Sequence, residues 1–350
     1  MTVERTTQVQ SNFDPAMRKA TVIYNPDSGG GRVRRKSQLE YVLALLEGAN
    51  VEAQLVFADS RAHAEEKARQ AILAGCDTVF ACGGDGTIHN LIQVLANTSV
   101  ALAILPMGTA NALAHDLGIS MNIAAAAEAA LHGTPRRVAL GRIRCLDFDG
   151  TPCARFFIVA AGAGVDAHLF YKLHTGAKQR MGMAAYYAKA WNLWATYPMT
   201  RFVVEFSETG SEAFRQADVT ELIAVRICNF GGVLQELAPG ASLDRNDVRI
   251  VFCRTASRLA YLLYVTRGLL RRNWNVPGIE LASSPRVQCK YLPESSSGDA
   301  ATAAKTKIYV EADGELVGTL PVEITTVPDA LTLLVPSRQV SQLAIMHTAK

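Results

Sequence analysis

Apolar positions in the first third of the chain follow two alternating periodicities. Short β-branched runs are each followed by a longer segment with helical spacing, as in Leu39, Val42 and Leu46. The predicted strands are 20–24, 51–57, 77–82 and 100–105. The predicted helices are 32–46, 62–73, 87–96, 109–116 and 123–131. Strands that alternate with helices favour a parallel sheet covered by helices on both faces.

After about residue 137 the pattern changes to short β-rich segments separated by turn residues, which is typical of an antiparallel sandwich or barrel. The predicted strands are 156–160, 201–207, 222–229, 248–253, 286–291, 307–311, 322–326 and 331–335. The sequence therefore predicts an α/β domain over 19–137 and a β-sandwich domain over 138–336, with the C-terminal residues able to pack back on the first domain.

Two helical stretches interrupt the β-rich part. In residues 258–272 the arginines do not share one helical face, so this helix is predicted to pack against the core rather than against a membrane. Residues 181–196 carry four large aromatic side chains, Tyr186, Tyr187, Trp191 and Trp194. This stretch is equally compatible with core packing and with a lipid tunnel or an interfacial face.

Composition narrows the class of protein. An apolar fraction of 49% and a charged fraction of 19% argue against disorder, and a net charge of +3 does not indicate a nucleic-acid binder. Seven scattered cysteines without a CxxC pair favour a reducing compartment over disulfides or zinc. The polar N-terminus is not a secretory signal, and no apolar run reaches the ~18 residues of a membrane span. We therefore expect a cytoplasmic protein.

The most informative turn lies in residues 80–89, FACGGDGTIH, between a predicted strand and a predicted helix. Its glycines, Gly83, Gly84 and Gly86, let the backbone approach a ligand closely. Thr87 is predicted to cap the helix, whose N-terminus favours a phosphate. Asp85 would hold a bridging Mg²⁺ or a neighbouring group. An ordinary strand-to-helix turn is the alternative explanation.

Two further turns follow predicted strands. Residues 25–31, NPDSGGG, precede a helix that opens with Arg32, Arg34, Arg35 and Lys36, and residues 106–111 read PMGTAN. Each alone is an ordinary loop. Since the carboxyl ends of parallel strands share one edge of the sheet, the three turns together predict a single nucleotide-phosphate site.

These three motifs, in this order, resemble the catalytic domain of diacylglycerol kinases and of the related sphingosine and bacterial lipid kinases. Residues 162–167 (GAGVDA), 237–244 (LAPGASLD) and 313–315 (DGE) extend the resemblance over about 19–336. It implies a Rossmann-like, NAD kinase/diacylglycerol kinase-like nucleotide domain and a β-sandwich domain, with the active site in the cleft between them. It also implies ATP- and Mg²⁺-dependent phosphorylation of a hydroxyl on a diacylglycerol-like or sphingoid/ceramide-like lipid, by a peripheral protein at the inner membrane face.

The resemblance also assigns residues. The nucleotide would be contacted by Asn25, Ser28, Gly29, Gly83, Gly84, Asp85, Gly86, Thr87 and Thr109. Asp85 would lie near the catalytic Mg²⁺, and Asp313 or Glu315 would be the general base or its orienter. Taken alone, Asp313-Gly314 is more typical of a hairpin turn than of a catalytic site, but a turn can carry a base.

Two of this chain's departures from the family pattern concern carboxylates. Asn90 stands where relatives often carry an acid after the phosphate loop. Arg245 stands where bacterial relatives carry the second acid of an LDDG run that binds a structural Mg²⁺, a role that Asp244 or Asp247 would have to take over.

Two rival functions stay open from the sequence. An NAD kinase-like enzyme shares a GGDGT loop and a β-domain, but the NPDSGG and PMGTAN motifs argue against it. A catalytically inactive lipid- or nucleotide-binding protein on the same scaffold is compatible with Asn90 and Arg245. The sequence identifies neither the lipid nor the oligomeric state, for which a homodimer is one option.

Overall fold

A computed structural model describes residues 17–26, 32–165, 167, 192, 194–196, 198–211, 213–231, 236–270, 272, 274–292 and 307–337. Within these residues, fifteen strands form one hydrogen-bonded network. The network has a parallel part and an antiparallel part, and the last strand belongs to both.

The parallel part is an α/β layer in the strand order β4-β3-β1-β2. Its strands are β1 (Lys19–Tyr24), β2 (Glu52–Phe57), β3 (Thr78–Gly83) and β4 (Ala101–Pro106). Its helices are α1 (Arg32–Gly48), α2 (Arg61–Leu73), α3 (Asp85–Leu95), α4 (Ala112–Asp116) and α5 (Ile123–Leu131). Every residue of β3 and β4 is buried. Their unbroken apolar runs are what strands covered on both faces require.

The antiparallel part is a sandwich of two layers. Its strands are β5 (Thr134–Leu146), β6 (Pro152–Phe157), β7 (Ala160–Gly164), β8 (Phe202–Ser207), β9 (Phe214–Val219), β10 (Glu221–Val225), β11 (Val248–Cys253), β12 (Ile279–Ser284), β13 (Arg286–Tyr291), β14 (Tyr309–Ala312) and β15 (Glu315–Val335). A helix, α6 (Arg258–Leu269), follows β11. The layers meet through apolar side chains, and the rings of Phe206 on β8 and Phe252 on β11 lie 4.7 Å apart.

Strand β15 joins the two parts. It pairs antiparallel with β14, β13 and β5, and then parallel with β4 through Thr332↔Ala101 and Leu333↔Leu102. The pattern predicted two short strands here, whereas the structure has one strand of 21 residues. Its register against β5 shifts between Val327 and Leu331, and this irregularity interrupts the alternation of apolar and polar positions.

The predicted fold class, a Rossmann-like domain followed by an antiparallel sandwich, is confirmed. Four strands were missed, among them β7, whose AAGAG sequence lacks the β-branched residues typical of strands. β5 opens with Thr-Pro-Arg-Arg, which hides its apolar alternation, β9 is mostly exposed, and β12 is only partly buried. Most of the aromatic stretch 181–196 lies outside the described residues.

The helix predicted at 258–272 packs against the core as expected, with Ala260 and Tyr264 in the buried cluster. Helix α6 buries Tyr264 and Arg267 and exposes leucines, with Leu259 at 65% and Leu270 at 59% exposure. The polar ends of the buried residues find partners, because the Arg267 guanidinium lies 4.3 Å from the centre of the Tyr264 ring and Tyr264 Oη donates to Leu237 O at 2.6 Å. Long side chains with polar ends can therefore replace leucine at the inner face of a helix.

Candidate active site

The turns after β1, β3 and β4 meet at one edge of the parallel sheet. Asn25 N donates to Cys82 O at 3.1 Å, and Met107 N donates to Gly83 O at 2.8 Å. Asn25 and Thr109, which is exposed, therefore both lie at the edge that holds the GGDG turn. Ser28 and Gly29, which were predicted to contact nucleotide, lie outside the described residues.

Two of these turns are in backbone contact. A Cβ placed on Gly108 would lie 2.5 Å from Gly84 Cα and 2.8 Å from Asn111 Oδ1. The Asn111 side chain accepts from Gly108 N at 2.9 Å and donates to Gly108 O at 3.0 Å, which locks the second turn. Glycine is required at position 108 because a side chain would push the two turns apart.

Helix α3 begins two residues earlier than predicted. Asp85 is its first residue and the extended Gly84 is its N-cap, so Thr87 lies inside the first turn and does not cap it. The N-terminus of this helix lies at the same edge of the sheet as the glycine turns, which is a favourable place for an anion.

The Asp85 carboxyl is buried beside the start of α4. Burial raises the pKa of Asp85, hydrogen bonds from the backbone N–H groups of Leu113, Ala112 and Asn111 oppose that rise, and the charge of Asp313 adds to it. Its Oδ1 atom has no hydrogen-bond partner among the described residues, and neither do Thr87 Oγ1 and His89 Nε2. Buried polar atoms without partners are costly unless a ligand satisfies them, and Asp85 and His89, one helical turn apart, share one side of α3.

Asp313 occupies the hairpin turn between β14 and β15. Asp313 and Gly314 both have left-handed φ values, 52° and 81°. The Asp313 side chain is 1% exposed and accepts from the N–H groups of Ile158, Val159 and Ala160 at 2.8–3.2 Å. Asp313 therefore fastens the start of the second domain, and its oxygens are already engaged.

His89 is a site residue that the sequence reasoning missed. Its Nδ1 atom lies 3.2 Å from Asp313 Oδ2, and the imidazole is 1% exposed. Since a carboxylate only accepts, Nδ1 carries the proton in the neutral ring and Nε2 keeps its lone pair. The available signal was spacing, because His89 follows Asp85 by one helical turn and so shares its face.

Glu315 begins β15 and approaches the glycine turn from the other domain. A Cβ placed on Gly86 would lie 3.1 Å from Glu315 Oε1. The structure thus gathers Asp85, Gly86, His89, Asp313 and Glu315 at the first turn of α3, with groups from both domains. Further contacts close the cleft, since Asp116 accepts from Cys228 N and Asn229 N at 2.9 Å.

Asp244 and Asp247 are not brought together as ligands. Asp244 pairs with Arg136, whereas Asp247 accepts two bonds of 2.6 Å from Arg245 and one of 2.6 Å from Thr209 Oγ1. No group of three His, Cys, Asp or Glu side chains suited to a metal occurs among the described residues. These residues do not fit a structural Mg²⁺, because arginines take the acceptor positions that the ion would use.

The buried guanidinium of Arg226 binds the loop that carries Asp244 and Asp247. Arg226 is fully buried and donates to the carbonyl oxygens of Ala139, Leu243, Arg245 and Asp247 at 2.5–3.3 Å. Burial lowers the pKa of Arg226 to about 10, so the group stays charged at neutral pH. The Arg226 side chain is therefore the cation that binds these carbonyl oxygens.

Comparisons with known proteins agree with this architecture. The profile of the diacylglycerol kinase catalytic domain matches residues 19–143, and that of the YegS C-terminal NAD kinase beta sandwich-like domain matches residues 159–335. A diacylglycerol kinase of Bacillus subtilis is 27% identical over 330 residues, covering 93% of this chain and 99% of the relative. A diacylglycerol kinase of Mycobacterium tuberculosis is 28% identical over 320 residues, covering 91% and 95%.

A solved structure supports the fold. The crystal structure of a diacylglycerol kinase from Bacillus anthracis has a TM-score of 0.65 at 17% identity and covers 93% of this chain and 98% of that one. No helix in the described part of the chain is long and apolar enough to cross a membrane. The domain matches and the full-length relatives together show that this chain belongs to the diacylglycerol kinase catalytic-domain family of lipid phosphotransferases.

Proposed function

We propose that this protein transfers the γ-phosphate of ATP to a hydroxyl group of a membrane lipid in a Mg²⁺-dependent reaction. The observation that carries the proposal is the meeting of two carboxylates from different domains at the N-terminus of α3. Asp85 has an unpartnered oxygen there, and Glu315 approaches Gly86. Phosphoryl transfer needs an anion cradle, charge neutralisation and a carboxylate near the attacking hydroxyl.

The donor phosphates would lie against the N–H groups of Gly83 to Thr87 at the start of α3. Asn25, Ser28, Gly29 and Thr109 would contact the rest of the nucleotide from the neighbouring turns. The close packing of Gly84 on Gly108 supports this assignment, because glycine backbone, which has no side chain, can approach a polyphosphate closely.

Asp85 would hold the catalytic Mg²⁺. A carboxylate oxygen is a ligand that this ion prefers, and the unpartnered Oδ1 is available for it. When bound, Mg²⁺ neutralises charge on the phosphate oxygens. The raised pKa of Asp85 fits a site whose charge is balanced only when a cation is present.

Glu315 would act as the general base. It would accept the proton of the lipid hydroxyl while that oxygen attacks the γ-phosphorus, and the bond to the β–γ bridging oxygen would break to release ADP. Asp313 would be a positioning residue, because its oxygens already accept three backbone N–H groups and face His89. We expect it to hold His89 and the hairpin turn in place.

Diacylglycerol is the first acceptor to test, since the Bacillus subtilis and Mycobacterium tuberculosis relatives carry that name. Sphingoid bases and ceramides present a comparable hydroxyl near a headgroup. The protein would work from the cytoplasmic surface of the membrane, which agrees with the sequence-based expectation of a peripheral protein.

Gly108→Ala should lower kcat/KM for ATP about a hundredfold, because its Cβ would lie 2.5 Å from Gly84 Cα and displace the phosphate-binding turn. Gly48→Ala is the matched control, since its Cβ meets nothing within 4 Å. Steady-state kinetics and a thermal melt of both variants test this expectation. Equal kinetics for the two variants would contradict a nucleotide role for the 106–111 turn.

The function itself is tested by transfer of label from γ-labelled ATP to a panel of lipids in mixed micelles. The panel contains diacylglycerol, phosphatidylglycerol, a sphingoid base and ceramide, with NAD as a separate acceptor. We expect one lipid to be labelled by wild type and by Gly48→Ala, and to lose most of its label with Glu315→Gln. Labelling of NAD alone would establish the NAD kinase-like alternative, and ATP binding without any transfer would favour an inactive binding protein.

A further inference from the structure

Helix α6 presents an apolar face to solvent. Its exposed apolar side chains are Leu259, Leu262, Leu263, Val265 and Leu269, followed by Leu270 and Trp274 just beyond the helix. Leu259, Leu262 and Leu263 recur at helical spacing, so they form a continuous surface rather than scattered contacts. A contiguous surface of this kind marks an interaction site more often than chance exposure.

The helix is held to the body by its other side. Tyr261 Oη lies 2.8 Å from Thr220 Oγ1, and Tyr264 Oη donates to Leu237 O at 2.6 Å. Arg267 stacks on the Tyr264 ring at 4.3 Å, and Ala260 and Gly268 are buried. These contacts orient the helix so that its leucines face outward.

The segment that carries this helix is rich in basic residues. From Arg254 to Ile279 the chain carries five arginines and no acidic residue. The arginines are Arg254, Arg258, Arg267, Arg271 and Arg272. Arg254 pairs with Glu280 at 3.0 Å and Arg267 is buried, whereas Arg272 is exposed. Leucines beside arginines, with an exposed tryptophan at the end of the helix, are the composition of helices that lie in the interface of an anionic bilayer.

The position of the helix relates this face to the candidate active site. Tyr261 packs against the cluster of Val165 and Met199 at the end of β7. Strand β7 pairs directly with β14, through Ala161↔Ala312, and β14 leads into the turn that carries Asp313. A membrane on this face would therefore lie against the domain that supplies Glu315.

We propose that the leucine face of α6, with Trp274 and the flanking arginines, docks the protein on an anionic lipid bilayer. This inference rests on the proposed function, because a lipid acceptor gives the protein a reason to reach a membrane. The leucines enter the boundary between headgroups and acyl chains, and the arginines contact anionic headgroups.

The test is co-flotation of the full chain with vesicles of phosphatidylcholine that contain phosphatidylglycerol. Leu259→Gln combined with Leu263→Gln should lower the partition constant about tenfold or more. Leu73→Gln combined with Phe214→Gln is the matched control, since these side chains are 87% and 80% exposed on other surfaces. Arg272→Gln, at an exposed arginine, should weaken binding to these vesicles but not to pure phosphatidylcholine.

Activity on a short-chain acceptor dispersed as monomers separates the two proposals. Loss of vesicle binding with unchanged phosphorylation of that acceptor supports the docking surface. Equal flotation of the α6 and control variants would overturn it, as would a change of oligomeric state on gel filtration without a change in flotation, which would assign the face to a second copy. Wild type that binds vesicles through α6 but phosphorylates no lipid would overturn the proposed function and still support the docking surface.

Discussion

Asp85→Asn should reduce lipid phosphorylation about a thousandfold while leaving the protein at least as stable as wild type. The activity loss follows if the unpartnered Oδ1 of Asp85 holds Mg²⁺, since a neutral amide is a poor ligand for this ion. The shape of the side chain is preserved, so its contacts with the start of α4 should persist.

The stability change follows from the pKa. Burial raises the pKa of Asp85 above its ordinary value of 3.8, so the folded state favours the protonated form. As pH rises from 3.8 through the folded-state pKa, ionisation costs the folded protein free energy that the unfolded chain does not lose. Asparagine removes this cost, and we expect a gain of about 1 kcal/mol at neutral pH that disappears in acid.

Calorimetric melts across pH without Mg²⁺, together with kinetics, measure both effects. Asp149→Asn on an exposed loop is the control, and it should change neither the melting temperature nor the rate. A variant at position 85 that loses activity and stability together would show that Asp85 is a structural residue and would remove the proposed metal ligand.

Glu315→Gln should mainly affect kcat, whereas Asp313→Asn should mainly affect the free energy of unfolding. We expect Glu315→Gln to lower kcat about a hundredfold to ten-thousandfold with a nearly unchanged melting temperature, because glutamine keeps the shape of the side chain and removes the base. Asp313→Asn should lower the free energy of unfolding by about 2 kcal/mol, since it weakens charge-assisted bonds to the N–H groups of 158–160 and the contact with His89.

The pH profile of kcat distinguishes a base from a structural carboxylate. The acidic limb of the wild-type profile should flatten in Glu315→Gln and persist in Asp313→Asn. If the limb disappears in Asp313→Asn, in a protein of normal stability, then the Asp313–His89 pair is the base and Glu315 orients it.

The parallel domain was predictable because strands covered on both faces leave unbroken apolar runs such as TVFACG and ALAILP. The loop cluster was predictable for a related reason, since glycine turns that follow parallel strands must meet at one edge. The start of α3 was not predictable. Thr87 is a good N-cap residue, and no neighbouring residue in the sequence shows that Gly84 takes that position.

Contacts between residues far apart in sequence could not be predicted. Arg226 binds the carbonyls of Ala139 and Asp247, which lie 87 and 21 residues away in sequence. His89 gained its role only when Asp313, 224 residues further along, closed on it. Helix α6 packs on the core as predicted, but the sequence did not show that Tyr264 and Arg267 would be buried while the leucines point outward.

Strand β15 makes the completion of the parallel sheet depend on residues that are synthesised near the end of the chain. The parallel part ends at β4, whose outer edge pairs, among the described residues, with residues 332 and 333 of β15. While the ribosome is still making the sandwich, the apolar edge of β4 stays open to other chains. The nucleotide domain, although encoded first, is therefore the domain that is completed last.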